Sequence, residues 1–100
     1  MAQVIWTEPA LSDLEAIADY IALDKPDAAI RYVQKVFSTT DRLGRYPKSG
    51  SVPAEIPHLP YRQIIVPPCR IFYRIEGNNV FIVHAMRSEQ QLDKDEIIHR

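Results

Sequence analysis

Tyr61–Arg87 reads YRQIIVPPCRIFYRIEGNNVFIVHAMR: three runs rich in β-branched and aromatic residues, parted by Val66-Pro67-Pro68-Cys69 and by Glu76-Gly77-Asn78-Asn79. In the first run Arg62, Ile64 and Val66 alternate with Tyr61, Gln63 and Ile65, and in the second Arg70, Phe72 and Arg74 alternate with Ile71, Tyr73 and Ile75. Such alternation puts the two sets on opposite faces of a strand. Gly77-Asn78 supplies residues that accept positive φ, the usual need of a two-residue hairpin. The third run, Val80 to Ala85, is apolar on both parities, as in a strand covered on both sides. The stretch therefore predicts an antiparallel meander whose last strand lies centrally.

Working outward, Gln3 to Thr7 carries Val4, Ile5 and Trp6 and reads as an edge strand. Thr7 is placed to cap a helix in which Pro9 is tolerated in the first turn. Leu11, Leu14, Ile17, Ala18 and Ile21 then recur at three- and four-residue spacing, with Tyr20 flanking the stripe and Ser12, Asp13, Glu15 and Asp19 on the acidic side. Asp24-Lys25-Pro26-Asp27 breaks this helix and starts another, with Asp24 expected to cap. The second helix runs through Ala29, Ile30, Val33, Val36, Phe37, Thr40 and Leu43 and stops at Gly44. So short a connection predicts an antiparallel helical hairpin. Pro47, Gly50, Pro53, Pro57 and Pro60 follow and predict a stiff, exposed loop. From Ser88 the chain turns polar, with Leu92, Ile97 and Ile98 as its apolar anchors. A short helix or a displaceable flap is expected there.

The sum is a single α+β domain over residues 1–100: an antiparallel sheet, made of an N-terminal edge strand and a C-terminal meander, with a helical hairpin on one face. The hairpin covers one face only and the tail is thin cover for the other, so a partner is expected on the second face. A hundred residues with 46% hydrophobic and 25% charged side chains suit one core without a metal or disulfide. The formal net charge of −1 gives no global positive field for direct nucleic-acid binding. Cys69 is the only cysteine, which excludes an intrachain disulfide and a cysteine-based zinc site. No cofactor or metal set is indicated, and the N-terminus MAQVIWTEP has no secretory pattern, so a cytoplasmic protein without membrane contact is expected.

The order strand, helix, helix, three strands, with PxxG at Pro47–Gly50 and YRxxxVxPxRIxYR in the sheet, resembles the RelE/ParE toxin superfamily of bacterial toxin–antitoxin pairs. LSDLEAIADYIALDKPDAAIRYV, YRQIIVPPCRIFYRI and VHAMRSEQ are closer to the ParE branch than to the RelE branch. The resemblance implies a toxin that inhibits DNA gyrase and is neutralised by a ParD-like antitoxin. It also implies two alternatives: a RelE-like toxin that cuts messenger RNA on the ribosome, and a remnant of the fold that binds antitoxin without toxicity.

Cleavage by a 2′-hydroxyl needs a base, an acid and cations around the phosphate. Arg62, Arg70 and Arg87 could supply cations, and His84 or Glu55 could move protons. The family's ribonucleases, however, carry a second lysine two residues after the position of Arg62, where this chain has Ile64, and commonly a late tyrosine, whereas no tyrosine follows Tyr73. The chain is therefore expected to act by binding proteins and to have no catalytic residues. Arg62, Arg70, Arg87 and His84 are the candidate target-binding residues, the first two sharing a face only if their hairpin registers them. Arg74 reads as a solvated strand arginine. His84 has the parity of Ile82 and Met86 and reads as a satisfied core histidine before a proton carrier. Leu11, Leu14, Tyr20, Val33, Phe37, Ile64 and Phe72 are the candidate antitoxin-binding residues. The antitoxin's C-terminal segment would lay apolar side chains along them and fold as it binds.

Overall fold

The computed structural model describes residues 1–100 and has the expected meander: β2 (Arg62–Val66), β3 (Cys69–Glu76) and β4 (Asn79–Arg87) pair antiparallel in sequence order. Pro67-Pro68 closes the first hairpin, where Val66 pairs with Cys69, and Gly77-Asn78 the second, where Glu76 pairs with Asn79. Gly77 alone takes a positive φ, +57°. The N-terminal strand β1 (Gln3–Trp6) pairs with β4, so β4 is central and the order is β1-β4-β3-β2. The β1–β4 pairing is parallel, Gln3 to Asn79 through Trp6 to Ile82, and the sheet is therefore mixed, not wholly antiparallel. A parallel pair needs a crossover of a dozen or more residues, and the helices supply it.

Helix α1 (Glu8–Ala22) begins at Thr7, whose hydroxyl accepts from Ala10 N at 3.3 Å and donates to Ile82 O at 2.9 Å, fastening the helix start to β4. Helix α2 (Pro26–Asp41) has Pro26 and Asp27 in its first turn, but Lys25 occupies the cap position and makes no side-chain cap bond, so Asp24 does not cap. A 3₁₀ turn over Arg42–Gly44 ends the hairpin, and Gly44 O accepts from Ala2 N at 2.7 Å. Leu14 and Ile17 of α1 and Tyr32 and Val36 of α2 pack with Ile71, Tyr73, Val80 and Ile82 in the core beneath the hairpin. Tyr32 donates its hydroxyl to Val66 O at 2.6 Å. Burial and the neighbouring Cys69 push that phenol well above its ordinary 10, so it stays a donor.

The second face is closed from within, contrary to the expectation of an open face. Ile56 and Leu59 from the proline-rich segment and Leu92 and Ile97 from the tail pack on Phe72, Val83 and Met86. Ile56 is 1% exposed and Ile97 0%. The prolines fix a path that lays Ile56 on the sheet, so this segment is cover and not a free loop. Ile97 belongs to a one-turn helix, α3 (Lys94–Ile98), capped by Asp93 through Glu96 N at 3.2 Å. The double apolarity of β4 is thus satisfied by the chain's own segments. No helix is long and apolar enough to cross a membrane.

A bulge within β4 decides where its second half points. Phe72 pairs with His84 but Tyr73 pairs with Ile82, which leaves Val83 as the extra residue. Before it, Val80 and Ile82 face the helices; after it, Ala85 does, while Met86 joins the second face. His84 therefore lies opposite Phe72, with ring centroids 5.6 Å apart, and does not share the face of Ile82.

Candidate functional site

β1 covers β4 only as far as Ile82, and Thr7 N adds one more bond, to Ile82 O. Beyond that point the outward backbone of β4 meets side chains instead of a strand. Asp13 of α1 accepts from Ala85 N at 3.1 Å, Arg100 donates to Val83 O at 3.3 Å, and Gln90 accepts from Arg87 N at 3.2 Å. The same groups build a charged corner. Nδ1 of His84 lies 2.9 Å from Asp13 Oδ2 and 2.8 Å from Arg100 Nη1. Arg100 bonds both carboxylate oxygens of Asp13, and its Nη2 donates to Glu96 at 2.8 Å. Donor atoms of Asp13, His84 and Glu96 all lie within 4.8 Å of one another, and the cation they surround is the guanidinium of Arg100.

Burial by itself would push the Asp13 carboxyl up, but hydrogen bonds from His84, Arg100 and Ala85 N together hold it below its ordinary 3.8. The bond to Asp13 raises the guanidinium of Arg100 in turn. A groove of about 430 Å³ runs beside this corner, lined by Asp13, Ile17 and Tyr20 of α1, His84 to Arg87 of β4, and Asp93 and Glu96 of the tail.

The expected cation cluster does not assemble. Arg62 pairs opposite Tyr73 and so belongs to the helix face, where its Nη1 donates to Gly50 O at 2.8 Å. Arg70 pairs opposite Ile65 and Met86, on the other face. There it is clamped: two bonds of 2.7 and 2.8 Å to Glu55, a third of 2.8 Å to Gln63, and its guanidinium 4.8 Å above the Phe72 ring. Arg87, opposite Cys69, turns back to the helix face, 4.6 Å above the Tyr20 ring and 3.2 Å from Glu89. His84 is 8% exposed and committed to Asp13 and Arg100. Arg74 pairs with Glu76 at 2.9 Å, the expected strand-surface contact.

Of the residues expected to meet an antitoxin, Leu14 and Phe72 are core, 3% and 0% exposed, because the stripe and the strand that carry them are covered by the chain itself. Val33, Phe37 and Ile64 are half-buried against the helix-side core, Phe37 with its ring 5.2 Å from Trp6. Leu11 and Tyr20 are exposed. Asp13 and Arg100 were not singled out by the sequence. Asp13 precedes Ile17 by four, which places it on the edge of the apolar stripe and is a usable sign; Arg100 carries none.

The Glu55–Arg70 clamp makes stability depend on acid. The Arg70 bonds are the largest influence on Glu55 and hold its carboxyl at about 2, against an ordinary 4.5. A carboxyl depressed in the folded state contributes stability above its unfolded value and loses it as pH falls through the folded one. Asp13 acts in the same sense. The melting temperature is therefore expected to fall progressively between about pH 5 and about pH 2, and Glu55→Gln should flatten that limb while lowering the plateau above it. An unchanged acid limb in Glu55→Gln would assign the loss to other carboxylates.

A family model described as the ParE toxin of type II toxin-antitoxin system, parDE, matches residues 4–92. Toxin RelE2 of Caulobacter vibrioides is 41% identical over 91 residues, covering 87% of this chain and 99% of that protein. A solved chain of the chromosomal ParDE TA system from P. aeruginosa superposes with a TM-score of 0.75 at 28% identity, covering 89% of this chain and 98% of its own. The matched residues take in the sheet from Val4 onward, the hairpin packed on it and the proline-rich segment, and the chain belongs to the ParE toxin family of type II toxin–antitoxin systems, in the RelE/ParE superfamily.

Proposed function

We propose that this toxin acts by binding proteins, inhibiting DNA gyrase in the cytoplasm and being neutralised by a ParD-like antitoxin, and that it does not cleave RNA. The observation that carries this reading is the separation of the arginines. Arg62 and Arg70 lie on opposite faces of one hairpin, and Arg70 is held by Glu55 and Gln63. Cleavage at phosphate needs cations and proton carriers converging on one surface. Ile64, at the position where ribonuclease relatives carry a second lysine, packs toward the helix-side core. A protein-binding role is supported by the exposed apolar side chains Leu11, Tyr20, Leu23 and Ile30 on the hairpin.

The purified toxin is expected to inhibit gyrase in a supercoiling assay and to leave ribosome-bound message intact in a translating extract. Site-specific cuts in the message with supercoiling unaffected would reverse the assignment. Arg87→Ala sharpens the test, since the contact of the half-buried Arg87 with the exposed Tyr20 ring is worth about 0.5–1 kcal/mol. Gyrase inhibition should fall severalfold with only a small change in melting temperature. Full inhibition together with a large thermal loss would make Arg87 a structural residue.

A further inference from the structure

We propose that the corner formed by Asp13, His84 and Glu96 is a receiving site for an arginine presented by an extended segment of a partner protein, with Arg100 as its resident occupant. The proposal is independent of whether gyrase is the target. The first observation is chemical: the site already holds a guanidinium. Arg100 bonds both Asp13 oxygens and Glu96, a planar, multi-donor arrangement that a lysine ammonium would match poorly.

The second observation is the backbone beside it. Val83 O and Ala85 N point away from β3 at the half of β4 that β1 leaves uncovered, and both are met by side chains of the same corner, Arg100 and Asp13. A chain running along this edge in extended conformation would offer an N–H to Val83 O and a C=O to Ala85 N in their place. The groove of about 430 Å³ leaves room for a few residues, its carboxylates Asp13, Asp93 and Glu96 outnumber the one lining arginine, Arg87, and so favour a basic segment, and Ile17 and Met86 supply apolar contact. The resident follows a short element: α3 is a single turn anchored by the buried Ile97 while Ile98 is half-exposed, and Arg100 itself is held by its bonds to Asp13, Glu96 and Val83 O, which a competing guanidinium must replace.

The test is an amide-resolved NMR titration of the full chain with the capped peptide acetyl-Val-Arg-Val-amide, using acetyl-Val-Gln-Val-amide as the neutral control. In Arg100→Ala the arginine peptide should bind about tenfold more tightly than in the wild type, because the resident guanidinium no longer competes. The amides of Ala85 and Asp13 should move most, the glutamine peptide should bind at least tenfold more weakly, and Asp13→Asn added to Arg100→Ala should abolish binding. Equal affinity in wild type and variant, equal affinity for the two peptides, or shifts confined to residues away from Asp13 and Val83–Arg87 would overturn the proposal. If Arg100→Ala does not fold, Arg100→Gln, which keeps a polar side chain of intermediate length, takes its place in the same titration. Failure of both to fold would also overturn it, because Arg100 would then be a fixed structural cation that no partner displaces.

Discussion

Gly50→Ala is expected to destabilise the fold by about 3 kcal/mol, a fall of roughly 10–20 °C in melting temperature for a domain of this size. A β-carbon at residue 50 would lie 2.5 Å from the Tyr73 hydroxyl, 2.6 Å from Gln63 O and 2.8 Å from a Tyr73 ring carbon. Neither neighbour yields easily. Tyr73 is fully buried, and its hydroxyl donates to Pro47 O at 2.6 Å and accepts from Gly50 N at 2.9 Å. Gln63 O accepts from Ser51 N at 2.9 Å in the bridge that ties the proline-rich segment to β2. Moving the ring breaks two bonds of a buried phenol, and moving the backbone breaks the bridge. Tyr73→Phe separates the causes. Alone it costs about 1–3 kcal/mol by leaving Gly50 N and Pro47 O without their partner. Combined with Gly50→Ala it removes the atom nearest the new methyl, so the double variant should lose less than the sum of the singles. Strict additivity would mean that close approach is not what demands glycine here. The PxxG spacing from Pro47 to Gly50 thus has a physical content: both ends of the motif hold one tyrosine hydroxyl.

Ile97→Ala is expected to cost about 2–4 kcal/mol, whereas Ile98→Ala should stay within about 0.5 kcal/mol. The adjacent isoleucines differ in a single respect, burial: Ile97 is 0% exposed and packs with Phe72, Val83 and Leu92, while Ile98 is 50% exposed. Hydrogen exchange adds a spatial readout. In the free wild-type toxin, β3 and β4 should be protected throughout, because both faces are closed by the chain. In Ile97→Ala, exchange should quicken over Lys94–Ile98 and at the β4 amides near Val83, with little change in α2. Equal losses from the two substitutions would show that the tail is not the lid of the second face.

The meander, the helical hairpin and the central place of β4 were legible because each rests on local periodicity: two-residue alternation in β2 and β3, three- and four-residue spacing in α1 and α2, and turn residues at Pro67-Pro68 and Gly77-Asn78. What periodicity does not carry is register and long-range cover. The extra residue Val83 inverts every later side chain of β4, so parity counted from Val80 misplaced His84 and Met86. The opposite faces of Arg62 and Arg70 follow from a hairpin that pairs Val66 with Cys69, an odd separation, so that residues an even number apart across the turn fall on opposite faces. Ile56 lies in a proline-rich segment and Ile97 beside Ile98 in a polar tail, and an isoleucine without a period around it shows no face until the sheet it covers is in place. The charged corner was hidden for the same reason: Asp13, His84 and Arg100 come from three elements far apart in sequence.

The parallel seat of β1 beside β4 has a consequence for how the protein is made. Val4, Ile5 and Trp6 are synthesised before both helices, the proline-rich segment, β2 and β3, yet their ladder partners Val80, Phe81 and Ile82 come only after all of these. The helical hairpin can close early on local contacts, whereas the first strand must wait, unpaired and apolar, until the last one has emerged. On the ribosome this toxin is therefore without its finished sheet until β4 has emerged, and any surface built on β4 matures only after that.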